Sequence, residues 1–181
     1  DLHEQRCLRR YKENFPDSVY EVPERNEAGY ENFAEWVQRI GNPTEGNHSV
    51  IFQMPFIHEG IRGVADFLLR VEYGKGKVAY EPVDSKLSRT GAKQGHLLQL
   101  LFYAEAVEAK IGIRPRQVHV LLGSGEVESF NVRDYWWYWK RLQRQIKETM
   151  DPTSSRDTTP EKCSHCGFCE YHYTHCRPQW E

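Results

Sequence analysis

No apolar run in this sequence approaches the length of a membrane span, and no charged-then-apolar leader opens it; a membrane-spanning helix is not expected. An excess of one charge is missing too. Against 24 Lys and Arg stand 26 Asp and Glu, a formal net charge of −2, so nucleic acid would have to be drawn by local patches rather than by the whole surface. Cysteine is absent between Cys7 and Cys163, which argues against a disulfide framework spread along a secreted domain. Internal repeats and low-complexity tracts are absent. The chain also lacks a starting Met and opens at "DLHEQRC", as expected of a fragment whose upstream part lies elsewhere.

What is present suits one well-cored globular domain with a small appendage: 181 residues, 39% hydrophobic and 28% charged. Five cysteines is an odd number, and four of them crowd into residues 163–176. Such crowding points to reduced, metal-binding thiols and hence to a cytoplasmic home. Two basic patches stand out, one made of Lys75, Lys77, Lys86, Arg89 and Lys93, the other of Lys140, Arg141, Arg144 and Lys147. Each by itself is most simply a solvated face.

Periodicity gives the elements. Residues 2–15 read as a helix, and "NFAEWVQRIG" (32–41) as a second one that stops at Gly41. "SVIFQMPFI" and "IRGVADFLLRVEY" (61–73) read as strands joined by the hairpin-like "HEG", and the charged turn "GKGK" leads to a third strand, 78–87. A helical period runs over 92–111, followed by strands at 116–123 and 127–132. The "DYWWYWKRLQRQIKETM" segment is a helix with Asp134 as candidate N-cap. Strand 78–87, helix 92–111 and strand 116–122 form a right-handed β-α-β crossover with parallel strands. The expected fold is α/β, a mixed central sheet flanked by helices. Residues 1–150 would form the core, 151–161 a linker and 162–181 a small cysteine-rich metal-binding tail.

Chemistry concentrates on the third strand. In "EPVDSKLS" (81–88), Asp84 and Lys86 are two apart and so share a face of an extended chain. Alone, the pair describes a charged surface strand. In "GVADFLLRV" of the preceding strand, Asp66 is an isolated acid in an apolar run, which is costly without a partner or a metal. Two carboxylates on adjacent strands suit a hard cation such as Mg²⁺, and a neighbouring lysine suits a phosphate or an attacking water. Gln99 and Tyr103 in "QLLFY" share one face of the following helix. His3 and Glu4 lie on the first helix, where Cys7 follows His3 by one turn as a packing residue. The five aromatics of "YWWYW" must point all around their helix, so some belong to the core and only a minority can stack on bases.

"LHE", "GVAD", "VDSK" and "QLLFY", in that order, resemble the RecB-like nucleases of the PD-(D/E)XK superfamily. The branch they most resemble carries a C-terminal cysteine cluster, and "GEVESFNVRDY" and "HCGFCEY" extend the likeness along nearly the whole chain. The resemblance implies a restriction-endonuclease-like fold and a Mg²⁺- or Mn²⁺-dependent deoxyribonuclease, with a place in DNA repair. By the same resemblance Asp66 and Asp84 bind metal (Asp84 standing where many relatives have Glu), Lys86 is the catalytic lysine and His3 a further ligand. Gln99 and Tyr103 would engage DNA near the active site, and Glu4 matches the acid after the histidine. The Ser85 carbonyl, between acid and lysine, is a plausible additional ligand.

The tail spaces Cys163, Cys166, Cys169 and Cys176 as C-x2-C-x2-C-x6-C. Zinc sites favour two separated pairs, whereas three cysteines at two-residue gaps suit a [4Fe–4S] cluster, with zinc as the alternative. The resembled branch takes one cluster ligand from upstream of the histidine motif, and Cys166, Cys169 and Cys176 match the other three. Cys163 is then either the fourth ligand or a spare. The expected partners are DNA, single-stranded or with ends, and a helicase domain or subunit. Two other readings stand beside this one: a catalytically inactive nucleic-acid-binding module of the same fold, and a purely structural zinc module that would leave Asp66 and Lys86 without a role.

Overall fold

Alternating apolar residues build three long strands in the middle of the chain. They are β2 (Val50–His58), β3 (Ile61–Glu72) and β4 (Val78–Lys86). A computed structural model describes residues 2–87, 91–153 and 160–180. Arg89 of the first basic patch and residues 154–159 of the expected linker lie outside the described residues. The remaining elements are α1 (Leu2–Asn14), β1 (Val19–Glu21), α2 (Phe33–Ile40), α3 (Gln94–Ile111), β5 (Gln117–Leu122), β6 (Val127–Asn131) and α4 (Val132–Met150). Two compact units result, Asp1–Trp139 and Lys140–Glu181, with the boundary inside α4.

The first unit carries a six-stranded mixed sheet in sequential order, β1 to β6. β1 pairs parallel to β2 and β4 parallel to β5; every other pair is antiparallel. The β4-α3-β5 crossover and the β2–β3 and β3–β4 hairpins thus match the periodicity of the sequence. The β2–β3 turn is a two-residue hairpin at Glu59 and Gly60, whose φ angles are both positive (52° and 79°), as the right-handed twist of the strands favours.

Each sheet face has its own apolar cluster. On one, Cys7 and Leu8 of α1 pack with Val50, Phe52, Phe67, Val83 and Leu121. On the other lies the larger core, where α3 meets Ile51, Met54, Phe56, Leu68, Tyr80 and Val120. Residues Leu100 to Val107 of α3 are all buried, so the middle of this helix, packed across that face of the sheet, is enclosed on all sides. Each fully buried large apolar side chain contributes about 2 kcal/mol through loss of water contact.

Caps fix the shorter helices. Asn32 accepts from the Ala34 and Glu35 N–H groups while the Glu35 carboxylate accepts from Asn32 N–H, a reciprocal capping box at the start of α2. α4 corrects one expectation. It starts at Val132, so Asp134 sits in its first turn instead of capping it. The reason is that β6 runs into α4 without a loop, and Val132 N–H is bonded to the Arg116 carbonyl. Along the aromatic run, Trp136 and Trp139 are buried while Trp137 and Tyr138 are exposed. Among the described residues no helix is long and apolar enough to cross a membrane.

Candidate active site

The β3–β4 ladder runs from Glu72–Val78 to Phe67–Val83. Asp66 and Asp84 follow directly on the last rung of this ladder, Phe67–Val83, and the Asp66 charge acts on Asp84. Asp66 is anchored there: its Oδ2 accepts from the Ser85 backbone N–H at 2.7 Å and from the Ser85 hydroxyl at 2.9 Å. Asp84 is only 1% exposed. Lys86, two residues along the same strand, places its Nζ 2.8 Å from Asp84 Oδ1 and 2.7 Å from Oδ2. Only the Oδ1 contact has hydrogen-bond geometry. Oδ2 is buried without a hydrogen-bond partner.

The electrostatics follow from that burial. Desolvation pushes the Asp84 carboxyl up and Lys86 pulls it back. Asp66 and, more weakly, Glu4 repel the charged form, and the balance stands at about 6. A carboxylate that titrates near neutrality next to a lysine, in a cluster of acids, is a common mark of a functional site.

Gln99 and Tyr103 lie where the sequence placed them, on one face of α3. The Gln99 amide donates to the Tyr103 hydroxyl at 3.1 Å, which donates in turn to the Val64 carbonyl at 2.7 Å. α3 is thereby tied to β3 two residues before Asp66. Burial raises the Tyr103 phenol, and both Asp66 and Asp84 add to the shift, so the ring shares the field of the two acids. Gly63 makes the approach possible: a Cβ there would come 2.9 Å from the Tyr103 oxygen and 3.3 Å from the Phe102 ring. The glycine of "GVAD" is a packing requirement.

His3 is half-buried with its Nε2 3.8 Å from Cys7 Sγ, and Cys7 is core, as expected. It is Glu4 that shares the acids' field. Burial and then Asp66 raise its carboxyl, while Lys86 and His3 lower it. Its Oε2 accepts from the Gln53 amide at 3.1 Å. Gln53 carried no signal in the sequence, where it is one polar residue in an apolar strand. Among the described residues no three His, Cys, Asp or Glu side chains converge closely enough to hold a metal ion. Glu4, Asp66 and Asp84 are within electrostatic reach of one another without meeting at a point.

In the second unit, Cys163 and Cys166 bring their sulfurs to 3.9 Å. Desolvation raises the Cys176 thiol, and Cys169, Cys166 and Cys163 add to the shift, so Cys176 lies within electrostatic reach of the other three. The segment has almost nothing else to fold around. Its three short helical turns contain no buried residue, and its ends are held by Trp180, whose indole N–H donates to the Pro160 carbonyl and whose ring packs on His172.

No protein-family model matches the sequence, and no curated protein matches it.

Proposed function

We propose that the chain is a metal-dependent deoxyribonuclease of the RecB-like, restriction-endonuclease-like kind, with a tail stapled by an iron–sulfur cluster. The observation that carries this reading is the buried Asp84 carboxylate, set across from Asp66 and straddled by Lys86, with one oxygen left without a hydrogen bond. A structural ion pair would have no use for a third and a fourth charge. Here Asp66 and Glu4 both press on Asp84, a costly arrangement that a divalent cation would relieve.

The residues fit such a cation. Asp66 and Asp84 offer hard oxygen donors, the Asp84 Oδ2 is ion-paired with Lys86 but accepts no hydrogen bond, and His3 and the Ser85 carbonyl complete the set by resemblance. When bound, Mg²⁺ or Mn²⁺ would supply an acidified water and offset charge on the scissile phosphate. The protein's own part is to hold the acids through Ser85, to anchor β3 through Gln99 and Tyr103, and to present the Lys86 ammonium where negative charge grows on the phosphate. For the tail, a segment of this size with no buried apolar residue has little of its own to hold it together. Cys163 and Cys166, with their sulfurs 3.9 Å apart, and Cys176, within electrostatic reach of the other three thiols, fit a cluster that would supply that energy. Cys166, Cys169 and Cys176 would hold it, with Cys163 or an upstream cysteine as the fourth ligand, in a reducing compartment such as the cytoplasm. The proposed partners are DNA, single-stranded or with ends, and a helicase domain or subunit.

The test is cleavage of end-labelled single-stranded DNA by anaerobically purified protein, with Mn²⁺, with Mg²⁺, and with a chelator. Divalent-dependent cleavage that disappears in Asp84→Ala, together with loss of Mn²⁺ binding by that variant, supports the reading. Tight DNA binding by the parent with no cleavage under any of these conditions would replace it with the inactive binding module.

A further inference from the structure

A cavity of about 420 Å³ lies where β5 begins and β6 runs into α4. Arg114, Arg116 and Arg133 line it, with Asp134 as the one acid in its wall. All three arginines are exposed. The cavity stands apart from the paired acids. In the β4–β5 register Asp84 pairs with Val120, four residues along β5 from Arg116 and so roughly 13 Å away along the strand.

Two of the guanidinium groups are held in place by aromatic rings. Arg116 is tied to Tyr73 twice: its guanidinium carbon lies 4.3 Å from the ring centre, and its backbone N–H donates to the Tyr73 hydroxyl at 2.6 Å. That hydroxyl donates in turn to the buried Glu81 carboxylate at 2.7 Å, which fixes the ring beneath Arg116. Arg114 lies 3.6 Å from the centre of the Trp136 ring and pairs with Glu108 at 2.7 Å. The charge offered to a ligand therefore comes chiefly from Arg116 and Arg133. A guanidinium already stacked loses little further freedom on meeting a phosphate, and its planar fork matches phosphate oxygens in pairs.

Trp137 adds what the arginines lack. Its side chain is 80% exposed, although Trp136 and Trp139 of the same run are buried. Arg133 and Trp137 are four residues apart on α4 and share one helix face. A cationic pocket beside an open aromatic ring is the chemistry of single-strand binding, with phosphate on the guanidinium groups and a base on the ring. A duplex keeps its base faces in the stack and has only the arginines to use.

We propose that this surface binds single-stranded DNA at a place separate from the paired acids, with a backbone phosphate between Arg116 and Arg133 and a base stacked on Trp137. The inference rests on the nuclease reading above in taking DNA as the ligand, and it adds a second hold on the strand.

The experiment is fluorescence anisotropy of a labelled oligothymidylate, and of a labelled duplex, titrated with the full chain prepared anaerobically. A chelator keeps divalent-dependent cleavage from intervening, and the titrations are repeated over a range of salt. On a single strand each neutralised phosphate adds about 0.7 to the steepness of log affinity against log salt. Arg116→Ala and Arg133→Ala are each expected to weaken binding and to reduce that steepness by about 0.7, while Arg133→Lys keeps it. Trp137→Ala should weaken single-strand binding about tenfold, with the salt dependence and the duplex affinity unchanged. Thermal unfolding of these variants should stay close to the parent's. Parent-like affinity and salt dependence in both arginine-to-alanine variants would overturn the proposal, as would equal losses on single strand and duplex in Trp137→Ala. A parent that binds no DNA would overturn it as well. Binding that follows the expected pattern in a protein that cleaves nothing would uphold this surface while the nuclease reading falls. Cleavage by a parent whose variants all bind as it does would do the reverse.

Discussion

Asp84 carries the heaviest electrostatic load in the molecule's candidate site. Its pKa of about 6 exceeds the ordinary carboxylate value of 3.8, so in the metal-free protein the folded state holds a proton that the unfolded chain has released. The sign follows. Below about 4 the group is protonated in both states and costs nothing. Between about 4 and 6 stability falls as pH rises, and above 6 the full cost, of the order of 3 kcal/mol, is present. Thermal unfolding of metal-free protein should therefore show a contribution that stabilises on going from pH 7 to pH 5, and Asp84→Asn should flatten it. A slope unchanged in Asp84→Asn would mean that the carboxyl is not strained. Glu81 works in the opposite direction and in a separate window. Burial pushes its carboxyl up, but hydrogen bonds from His119, Tyr73 and Gln117 N–H more than offset this and leave it below 4.5. Its stabilisation is present above 4.5 and is lost only as pH falls through the depressed value.

At the scale of elements, the site depends on how closely α3 can sit on β3. Gly63→Ala would drive a methyl into the Tyr103 oxygen and the Phe102 ring, and overpacking of this kind costs about 1–3 kcal/mol. The variant should unfold at a lower temperature, and Tyr103→Phe, which removes the Val64 hydrogen bond, should lose about 1 kcal/mol. Parent-like stability in Gly63→Ala would show that the two elements are not in tight contact. Much of this layout was legible in the sequence, and the reasons are physical. Hydrophobic period distinguished β2, β3, β4 and α3; the lone acid in "GVADFLLRV" stood out because apolar runs rarely tolerate one; the i, i+2 spacing put Lys86 on Asp84. Other features left no local trace. β1 is three residues long, too short for a period, and exists because β2 offers it a parallel partner. Asp134 looked like a cap because nothing in the sequence says that β6 enters α4 directly. Gln53 was silent because one glutamine in an apolar strand carries no pattern, whereas Glu4 was legible as the acid after His3.

The whole molecule divides its stability between two kinds of construction. The first unit folds around two apolar clusters, one on each face of its sheet. The second has four cysteines and little else to gather around, so its order should depend on metal. Protein made anaerobically should be brown and contain iron and sulfide. Cys166→Ala, Cys169→Ala and Cys176→Ala should each lose the colour and destabilise the tail, while Cys163→Ala should matter only when no upstream cysteine is supplied. A colourless protein with one zinc per chain would replace the cluster by a zinc site. The central claim, however, concerns catalysis in the first unit, and Lys86 tests it most directly. If the ammonium stabilises charge on the phosphate during cleavage, its loss should remove about 3 kcal/mol from the chemical step, roughly a hundredfold in rate, and leave the acids in place. The measurement is single-turnover cleavage of single-stranded DNA at saturating Mn²⁺, parent against Lys86→Ala, with Mn²⁺ affinity measured alongside. The account predicts a rate lower by about a hundredfold with affinity nearly intact; equal rates would contradict it and leave Lys86 a structural partner of Asp84.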